Sequence, residues 1–260
     1  MLTHLRELYR FRDLLFSLVV RDIKVRYRQT LLGILWAVFQ PLAFMVIFTL
    51  VFAKFGRIET GSIPYPLFSY TGLVPWTFFS TGVVMAVNSV AAHMSLVKKI
   101  YFPREVLPIG VVLGCFTDFL IAASLIAGMM LFYRVPATPH LLWLPWLIGL
   151  EIALLISVGL FVSSVNVFYR DVKYIVPLLV QLGLFVTPVI YSTATVPAHF
   201  RRWYMLNPMA VVVDGVRRVV LQGQPPQLGA LLLATALVAA FSLFSYAFFK
   251  KIEVRFADLI

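Results

Sequence analysis

Long uncharged, apolar stretches alternate with short charged segments along the whole chain. A helix needs about 20 residues to cross the hydrocarbon core of a bilayer, and six of these stretches are long enough. We predict spanning helices at residues 31–53, 73–92, 106–133, 142–167, 174–191 and 228–249. The second is placed no earlier than residue 73, because Pro64, Pro66 and Gly72 are typical of a loop. The expected fold class is therefore all-α, a polytopic membrane protein whose single transmembrane domain, residues 1–260, has six transmembrane helices.

Residues 1–30 are the most highly charged part of the chain, yet they carry a regular apolar pattern. The apolar positions that share one side of a helix are Leu8, Phe11, Leu15 and Leu18. Because basic residues occupy the other sides, we predict a cytoplasmic amphipathic helix that lies in the headgroup region of the membrane. The alternative is a helix that packs only on the spans of the protein itself.

Residues 192–227, between the fifth and sixth predicted spans, have an unusual pattern for a loop. Asn207-Pro208 is a typical helix start, an N-cap followed by proline at the first helical position. Val212 and Val216 then repeat at helical spacing, and a second short helix is predicted before them, with Phe200, Trp203 and Tyr204 as aromatic anchors. We expect two short external helices that dip back into the outer leaflet; the alternative is a partly ordered external loop.

The amino-acid composition limits the classes of protein to which the chain can belong. The chain is 61% hydrophobic and 13% charged, whereas a soluble domain has about 25% charged residues, so a water-soluble globule is excluded. A net charge of +11 in such an apolar chain points to anionic lipid and membrane topology, and no nucleic acid is expected as a partner. The predicted topology places 15 Lys/Arg on the side of both termini and seven on the other. Both termini, including the tail of residues 250–260, are therefore predicted to be cytoplasmic.

Candidate chemistry is sparse. The chain has no GxxxxGK[ST] phosphate-binding loop, four scattered histidines and one cysteine, so we expect no catalytic residue and no metal site. Asp118 and Glu151 lie inside predicted spans, where carboxyl groups are costly and often functional. A proton-coupled secondary transporter that uses Asp118 or Glu151 is one alternative. The structural alternative is that each acid forms a hydrogen bond to a Ser or Thr of a neighbouring helix or lies close to an interface.

Two short cytoplasmic turns and a set of aromatic side chains are the remaining candidates. Compact charged turns suit docking of a soluble partner, although lysine and arginine there also determine topology. The docking candidates are Lys98, Lys99, Arg104, Tyr169, Arg170, Asp171 and Lys173. Aromatic rings can stack against the C–H faces of sugars, and the candidates in the first and fifth spans are Trp36, Phe39, Phe185 and Tyr191.

Several segments together resemble a known family. They are RDIKVRYR at residues 21–28, LGILWA at 32–37, QP at 40–41, GLVPW at 72–76, NVFYRDV at 166–172, TPVIY at 187–191 and NP at 207–208. In order and spacing they resemble the membrane subunit, or permease, of ABC type-2 polysaccharide exporters. The similarity covers essentially the whole chain and is greatest to the O-antigen export permeases, with teichoic-acid and capsule exporters as close relatives.

The resemblance implies a homodimer in the bacterial cytoplasmic (inner) membrane, bound to two copies of a soluble ATP-binding subunit. That subunit would hold ATP and Mg, so no cofactor is expected in this chain and ATP hydrolysis is expected elsewhere. The first and fifth spans would line a channel, and the two cytoplasmic turns would contact the ATPase. The external gate implied by the resemblance consists of Phe200, Trp203, Tyr204, Asn207, Pro208, Val212 and Val216.

Our hypothesis is that lipid-linked polysaccharide, O-antigen-like, crosses the membrane through this subunit. The basic residues that would attract the pyrophosphate of a polyprenyl carrier, or equally bind anionic membrane lipids, are Arg21, Lys24, Arg26 and Arg28. Teichoic acid, capsule polymer, and a small lipid or drug are alternative substrates. A membrane scaffold without a transport role is a further alternative.

Overall fold

The computed structural model describes residues 9–28, 30, 33–55 and 63–257, and within these ranges the chain is helical without a β-strand. Its α-helices are α1 (Arg12–Tyr27), α2 (Trp36–Phe48), α3 (Tyr65–Val87), α4 (Met94–Lys99), α5 (Val106–Phe132), α6 (Leu144–Phe168), α7 (Val172–Val186), α8 (Ala198–Tyr204), α9 (Pro208–Val220) and α10 (Leu228–Glu253). A π-helical segment, Thr49–Phe55, extends α2, and a 3-10 turn, Pro139–Trp143, leads into α6.

Five helical segments in the described part of the chain are long and apolar enough to cross a membrane. They are Gly33–Phe52, Tyr65–Val87, Val106–Phe132, Pro139–Phe168 and Leu228–Phe256. A multi-pass, all-helical membrane architecture is thus confirmed. The sixth apolar helix, α7, has 15 residues, or about 22 Å of rise, and is shorter than a hydrocarbon core of about 30 Å.

The predicted start of the second span was wrong. Helix α3 begins at Tyr65 and runs through Gly72, eight residues before the predicted start at residue 73. Pro64 caps the helix in an extended conformation and Pro66 lies in the first turn, where a missing backbone N–H costs no hydrogen bond. The helix ends at Val87, before the predicted residue 92. Since α3 is buried over most of its length and contacts α2, α5, α6, α7 and α9, it is the centre of the bundle.

The fifth span was also placed wrongly at its far end. Helix α7 ends at Val186, five residues before the predicted end at residue 191. Thr187 precedes a proline and adopts an extended conformation, as steric contact with the proline ring requires. The remaining predicted spans agree with the structure within a few residues, although residues 31 and 32 of the first lie outside the described ranges.

Helix α1 packs on the protein itself. Leu18 is buried in a small hydrophobic cluster, separate from the main core, together with Phe249 and Phe256 from the C-terminal end of the chain. Phe11 and Leu15 pack against the same cluster. This packing agrees with the alternative interpretation of the amphipathic pattern, a helix docked on the spans, while the headgroup placement stays a prediction. Phe16 and Val25 nevertheless remain exposed on the opposite side, and Leu8 of the predicted face lies outside the described residues.

Candidate functional site

A groove runs between α2, α3 and α7. It has a volume of ≈ 420 Å³. Its walls are Gln40, Phe44, Leu73, Trp76, Thr77, Ser80, Thr81, Val84, Met85, Pro177, Val180, Gln181 and Leu184. The lining is therefore aromatic and aliphatic, with hydroxyl and amide groups between, and none of these described residues carries a charge.

A second cavity lies next to the groove, where α1 meets α2, α3 and α5, and has a volume of ≈ 220 Å³. Gln40, Thr77, Thr81 and Met85 line both spaces. The cavity adds Trp36, Arg26 and Asp118, so charged groups enter only at its α1 end. The two spaces together give a continuous line of polar groups from α1 to α7.

Asp118 of α5 is paired with the end of α1. Its carboxylate accepts hydrogen bonds from the guanidinium of Arg26 and the hydroxyl of Tyr27. The structural alternative for Asp118 was a bond to a Ser or Thr, and the actual partners are these two residues instead. Arg26, one of the predicted lipid contacts, is thereby held against the protein.

The other basic residues of α1 are placed differently. Lys24 and Arg28 are exposed, while Arg21 forms an ion pair of 2.9 Å with Asp22 and contacts His93. Arg21, Lys24 and Arg28 line a shallow surface groove together with the apolar Phe16 and Val25. Positive charge beside exposed apolar side chains is the composition expected of a surface that contacts lipid headgroups.

The predicted channel aromatics do not share one surface. Trp36 lines the cavity described above and stacks edge-on against Phe39, with ring centroids 5.3 Å apart. Phe39 and Phe185 are on the outer surface of the subunit, where Phe185 is 60% exposed. Tyr191 lies beyond the end of α7, and its hydroxyl donates to the carbonyl of Phe185 and pairs with the hydroxyl of Tyr204.

The turn that follows α7 is buried although it is not helical. Thr187, Val189 and Ile190 are almost completely inaccessible. Backbone carbonyls in such a turn have no partner within a helix, and leaving them unpaired away from water would cost about 1–3 kcal/mol each. The hydroxyl of Tyr65 donates to the carbonyl of Ile190 at 3.0 Å. The other carbonyls require a second donor.

Arg217 of α9 is that donor. Its guanidinium donates to the carbonyls of Phe68, Pro188, Val189 and Tyr191. It is 3% exposed, lies 3.7 Å from the centroid of the Phe68 ring, and has its pKa lowered by burial to about 9, so it remains charged at neutral pH. We call Arg217 and the carbonyls it binds the arginine latch; it joins α9 and α3 to the end of α7.

The two short helices predicted between the fifth and sixth spans are present as α8 and α9, while their placement on the external side stays a prediction. Asn207 caps α9 by accepting a hydrogen bond of 3.0 Å from the Met209 backbone, and its amide donates to Thr187 at 3.2 Å. Pro208 is the first helical residue, as predicted. Val212 and Val216 are buried against the bundle, whereas Phe200 and Trp203 on α8 are exposed, Trp203 by 73%. Residues 198–204 and 208–220 are helical, so the alternative of a partly ordered loop does not apply to them.

The predicted docking residues lie on one end of the molecule. Those that are exposed are Lys98, Lys99, Tyr169, Arg170, Asp171 and Lys173. Arg104 differs, because its guanidinium donates to the backbone carbonyl of Glu253 and packs on the C-terminal segment. Asn166 near the end of α6 joins the helices that precede the two turns, since its amide donates to the Val87 carbonyl at 3.1 Å and to Asn88 at 3.3 Å at the end of α3.

Glu105, which was not singled out from the sequence, holds the same end together. It is 1% exposed and accepts a hydrogen bond of 2.8 Å from Lys250. This pair fastens the start of α5 to the end of α10. Glu105 and Lys250 are more than a hundred residues apart, so the sequence around either residue does not indicate that they pair.

Sequence reasoning also missed the arginine latch and the polar lining of the groove. Thr77, Ser80 and Thr81 repeat at the i, i+3, i+4 spacing of one helix face, and this stripe within an apolar span was a usable signal. Arg217 has no comparable signal, because all four carbonyls that it binds are at least 26 residues away along the chain.

Comparison with known proteins places this arrangement in a wider group. The sequence model of the ABC-2 type transporter family matches residues 13–221. The chain is 30% identical over 263 residues to the O-antigen export system permease protein RfbA of Myxococcus xanthus, with 100% of both chains covered. It is 29% identical to a protein of the same name from Klebsiella pneumoniae, with 95% of each covered. The polysialic acid transport protein KpsM of Escherichia coli is 24% identical over 80% of this chain and 81% of its own.

Proposed function

This chain belongs to the ABC-2 type transporter family, and we propose that it is the channel-forming permease subunit of an ATP-driven exporter of lipid-linked, O-antigen-like polysaccharide. The observation that carries this proposal is the groove between α2, α3 and α7. The names of the relatives, two O-antigen export permeases and a polysialic acid transport protein, support a polysaccharide as the substrate class.

The chemistry of the groove suits a sugar chain. Hydroxyl and amide groups of Gln40, Ser80 and Gln181 can exchange hydrogen bonds with sugar hydroxyls, and the ring of Trp76 can stack on a sugar face. Each such contact is weak and readily exchanged, which a polymer that slides requires. Because no charged side chain lines the described groove, the lining favours a neutral chain over a polyanion such as polysialic acid.

The partners follow from surfaces that the single subunit leaves uncovered. Exposed apolar side chains on α2 and α7 flank the groove: Phe39, Phe44, Ile47, Leu178, Leu179, Leu182 and Phe185. A second copy of the chain, facing the first across the groove, would cover part of this surface and close a channel. The remainder would contact lipid in the bacterial inner membrane.

ATP would act from the cytoplasmic side. The family implies an ATP-binding partner subunit, and two copies of it would dock on Lys98, Lys99 and the turn at residues 169–173. ATP and Mg would be held by that subunit, so this chain would not be the enzyme. Asn166 would transmit movement of one turn to the other, since it binds the end of α3 from the end of α6. Both termini would lie in the cytoplasm.

Two features bear on the lipid anchor and on proton coupling. Lys24 and Arg28 would contact a pyrophosphate or an anionic headgroup at the membrane surface, a role that their exposed position in the α1 surface groove supports. Asp118, one of the two acids that a proton-driven transporter could use, is paired with Arg26 and Tyr27. That pairing argues against proton coupling through Asp118 and leaves Glu151 as the other candidate acid.

Blocking the groove tests the proposal. We expect Ser80→Trp to stop export, so that polysaccharide disappears from the cell surface and its lipid-linked form accumulates in the inner membrane. The matched control is Ser124→Trp: both serines bond a backbone carbonyl of their own helix, but Ser124 is exposed on α5 and away from the groove. Normal export by a stably inserted Ser80→Trp variant would contradict the proposal.

A further inference from the structure

An apolar cavity separate from the groove lies among α3, α5, α6 and the external helix α9. Its volume is ≈ 220 Å³. Its lining is Val74, Pro75, Phe119, Ala123, Ile126, Ala127, Met130, Leu141, Leu144, Ile148, Glu151, Val216 and Val220. Glu151 is the only one of these side chains that carries a polar group able to form strong hydrogen bonds.

Glu151 is buried without a partner. It is 1% exposed, and neither oxygen of its carboxyl group has a hydrogen-bond partner among the residues that the structure describes. The two other inward-facing acids contrast with it, since Glu105 binds Lys250 and Asp118 binds Arg26. An unpaired buried carboxyl group costs several kcal/mol, so its retention points to an occupant that satisfies it.

The surroundings define what kind of group the occupant presents. A charged carboxylate is strongly disfavoured among apolar side chains, so Glu151 is held in its uncharged form. An uncharged carboxyl group donates one hydrogen bond and accepts others. A hydroxyl group also donates one hydrogen bond and accepts others, so it matches the carboxyl group. An amine would instead form an ion pair, and the transfer of its charge from water into the cavity would be costly. The rest of the occupant must be apolar to match the walls.

We propose that this cavity is a binding site for a small apolar alcohol, with the carboxyl group of Glu151 as its hydrogen-bond partner. Ala127, in its wall, is exposed on the outer surface of α5, so the cavity opens to the side of the bundle from which a membrane-dissolved molecule would arrive. A bound molecule would touch Val216 and Val220 and thus contact α9, the helix that carries the arginine latch.

Photolabelling of the full chain in lipid nanodiscs, together with its ATPase subunit, tests the site. The probe is an octanol that carries a diazirine, and adducts are mapped by mass spectrometry with and without excess plain octanol. We expect adducts on cavity residues such as Met130 and Ile148 that plain octanol suppresses. Loss of two hydrogen bonds to the carboxyl group should weaken competition by plain octanol roughly thirtyfold in Glu151→Leu.

Two further variants distinguish the contribution of the carboxyl group from that of the cavity volume. Glu151→Gln keeps one donor and one acceptor, so competition by octanol should be retained. Ala123→Phe fills the cavity and leaves Glu151 in place, so the adducts should disappear. The proposal is overturned if adducts are confined to the lipid-facing surface, or if they persist unchanged in Ala123→Phe. Unchanged competition by octanol in Glu151→Leu, or in Glu151→Met should the leucine variant fail to fold, would also overturn the proposal.

Discussion

Gly72 and Arg217 lie in direct contact, and the guanidinium of Arg217 occupies the space that a Cβ at residue 72 would need. The same Cβ would also come within 3.1 Å of the Val189 carbonyl. A helix normally gains about 0.5–1 kcal/mol when an interior glycine becomes alanine. At Gly72 the clash reverses the sign, and we expect Gly72→Ala to destabilise the protein by about 1–3 kcal/mol.

The control for Gly72→Ala is an alanine at a helical glycine with free space. A Cβ at Gly128 or Gly149 would meet nothing within 4 Å among the described atoms. Gly128→Ala and Gly149→Ala should therefore leave the thermal unfolding midpoint in detergent unchanged or slightly raised. A Gly72→Ala protein as stable as these two would show that the contact with Arg217 is not as close as described.

Arg217 should be irreplaceable by lysine. The guanidinium donates to four carbonyls in different directions, whereas a lysine ammonium has three protons at a single point. We expect Arg217→Lys to lower the free energy of unfolding by about 1–3 kcal/mol for each carbonyl left unpaired. Export should fall with it, since the turn after α7 loses its attachment to α9.

The neighbouring Arg218 provides the matched control. It binds only the following loop, through the carbonyl of Pro225 at 3.1 Å and the side chain of Gln224. Arg218→Lys should change neither the unfolding midpoint nor export measurably. Equal behaviour of Arg217→Lys and Arg218→Lys in both assays would remove the structural role assigned to the latch.

The helices were largely readable from the sequence because spanning helices depend on local apolar composition. The start of α3 was misplaced because proline and glycine are tolerated in membrane helices when neighbouring groups compensate. Gly72 is a packing requirement of Arg217, a residue 145 positions further along the chain. The early end of α7 did have a local signal, the Thr187-Pro188 pair.

The candidate site could be predicted only in part from the sequence, because some of its interactions join residues that are far apart along the chain. The cap at Asn207 is a local interaction and was predicted correctly. The pairing of Asp118 with Arg26 and of Glu105 with Lys250 depends on how distant helices pack, and nothing near either acid indicates it. Whether Trp36, Phe39, Phe185 and Tyr191 line a channel stays a prediction, because that surface would be completed by a second subunit.

The pair of Arg26 and Asp118 should behave as a coupled unit in a double-mutant cycle. Charge-assisted hydrogen bonds contribute about 1.5–3 kcal/mol, and removal of one partner leaves the other charge partly buried and unpaired. We expect Arg26→Gln and Asp118→Asn each to lower the unfolding midpoint, and the double variant to be less destabilised than the sum. Strictly additive effects would mean that the two side chains do not interact.

Lys24 and Arg28 should matter for substrate and not for stability. Both are exposed, so the double variant Lys24→Gln, Arg28→Gln should unfold at the same temperature as the parent protein, within error. We expect it to stall export because the attraction for a phosphate-bearing carrier is lost. Binding of a polyprenyl pyrophosphate and of an anionic lipid to the purified protein in detergent then separates carrier recognition from general attraction to anionic lipid. Unchanged export would exclude a role of Lys24 and Arg28 in carrier recognition.

Variants of Asn166 should distinguish coupling between the two predicted docking turns from simple packing. Its amide donates to the Val87 carbonyl and to the Asn88 side chain, so Asn166→Asp would face both oxygens with a group that cannot donate when ionised. We expect Asn166→Asp to reduce export more than Asn166→Ala, and Asn88→Ala, which loses only the longer bond of 3.3 Å, to have the smallest effect. The measurement is export in cells alongside ATP hydrolysis by the complex. If Asn166→Asp exports as well as the parent protein, movement is transmitted between the turns by another route.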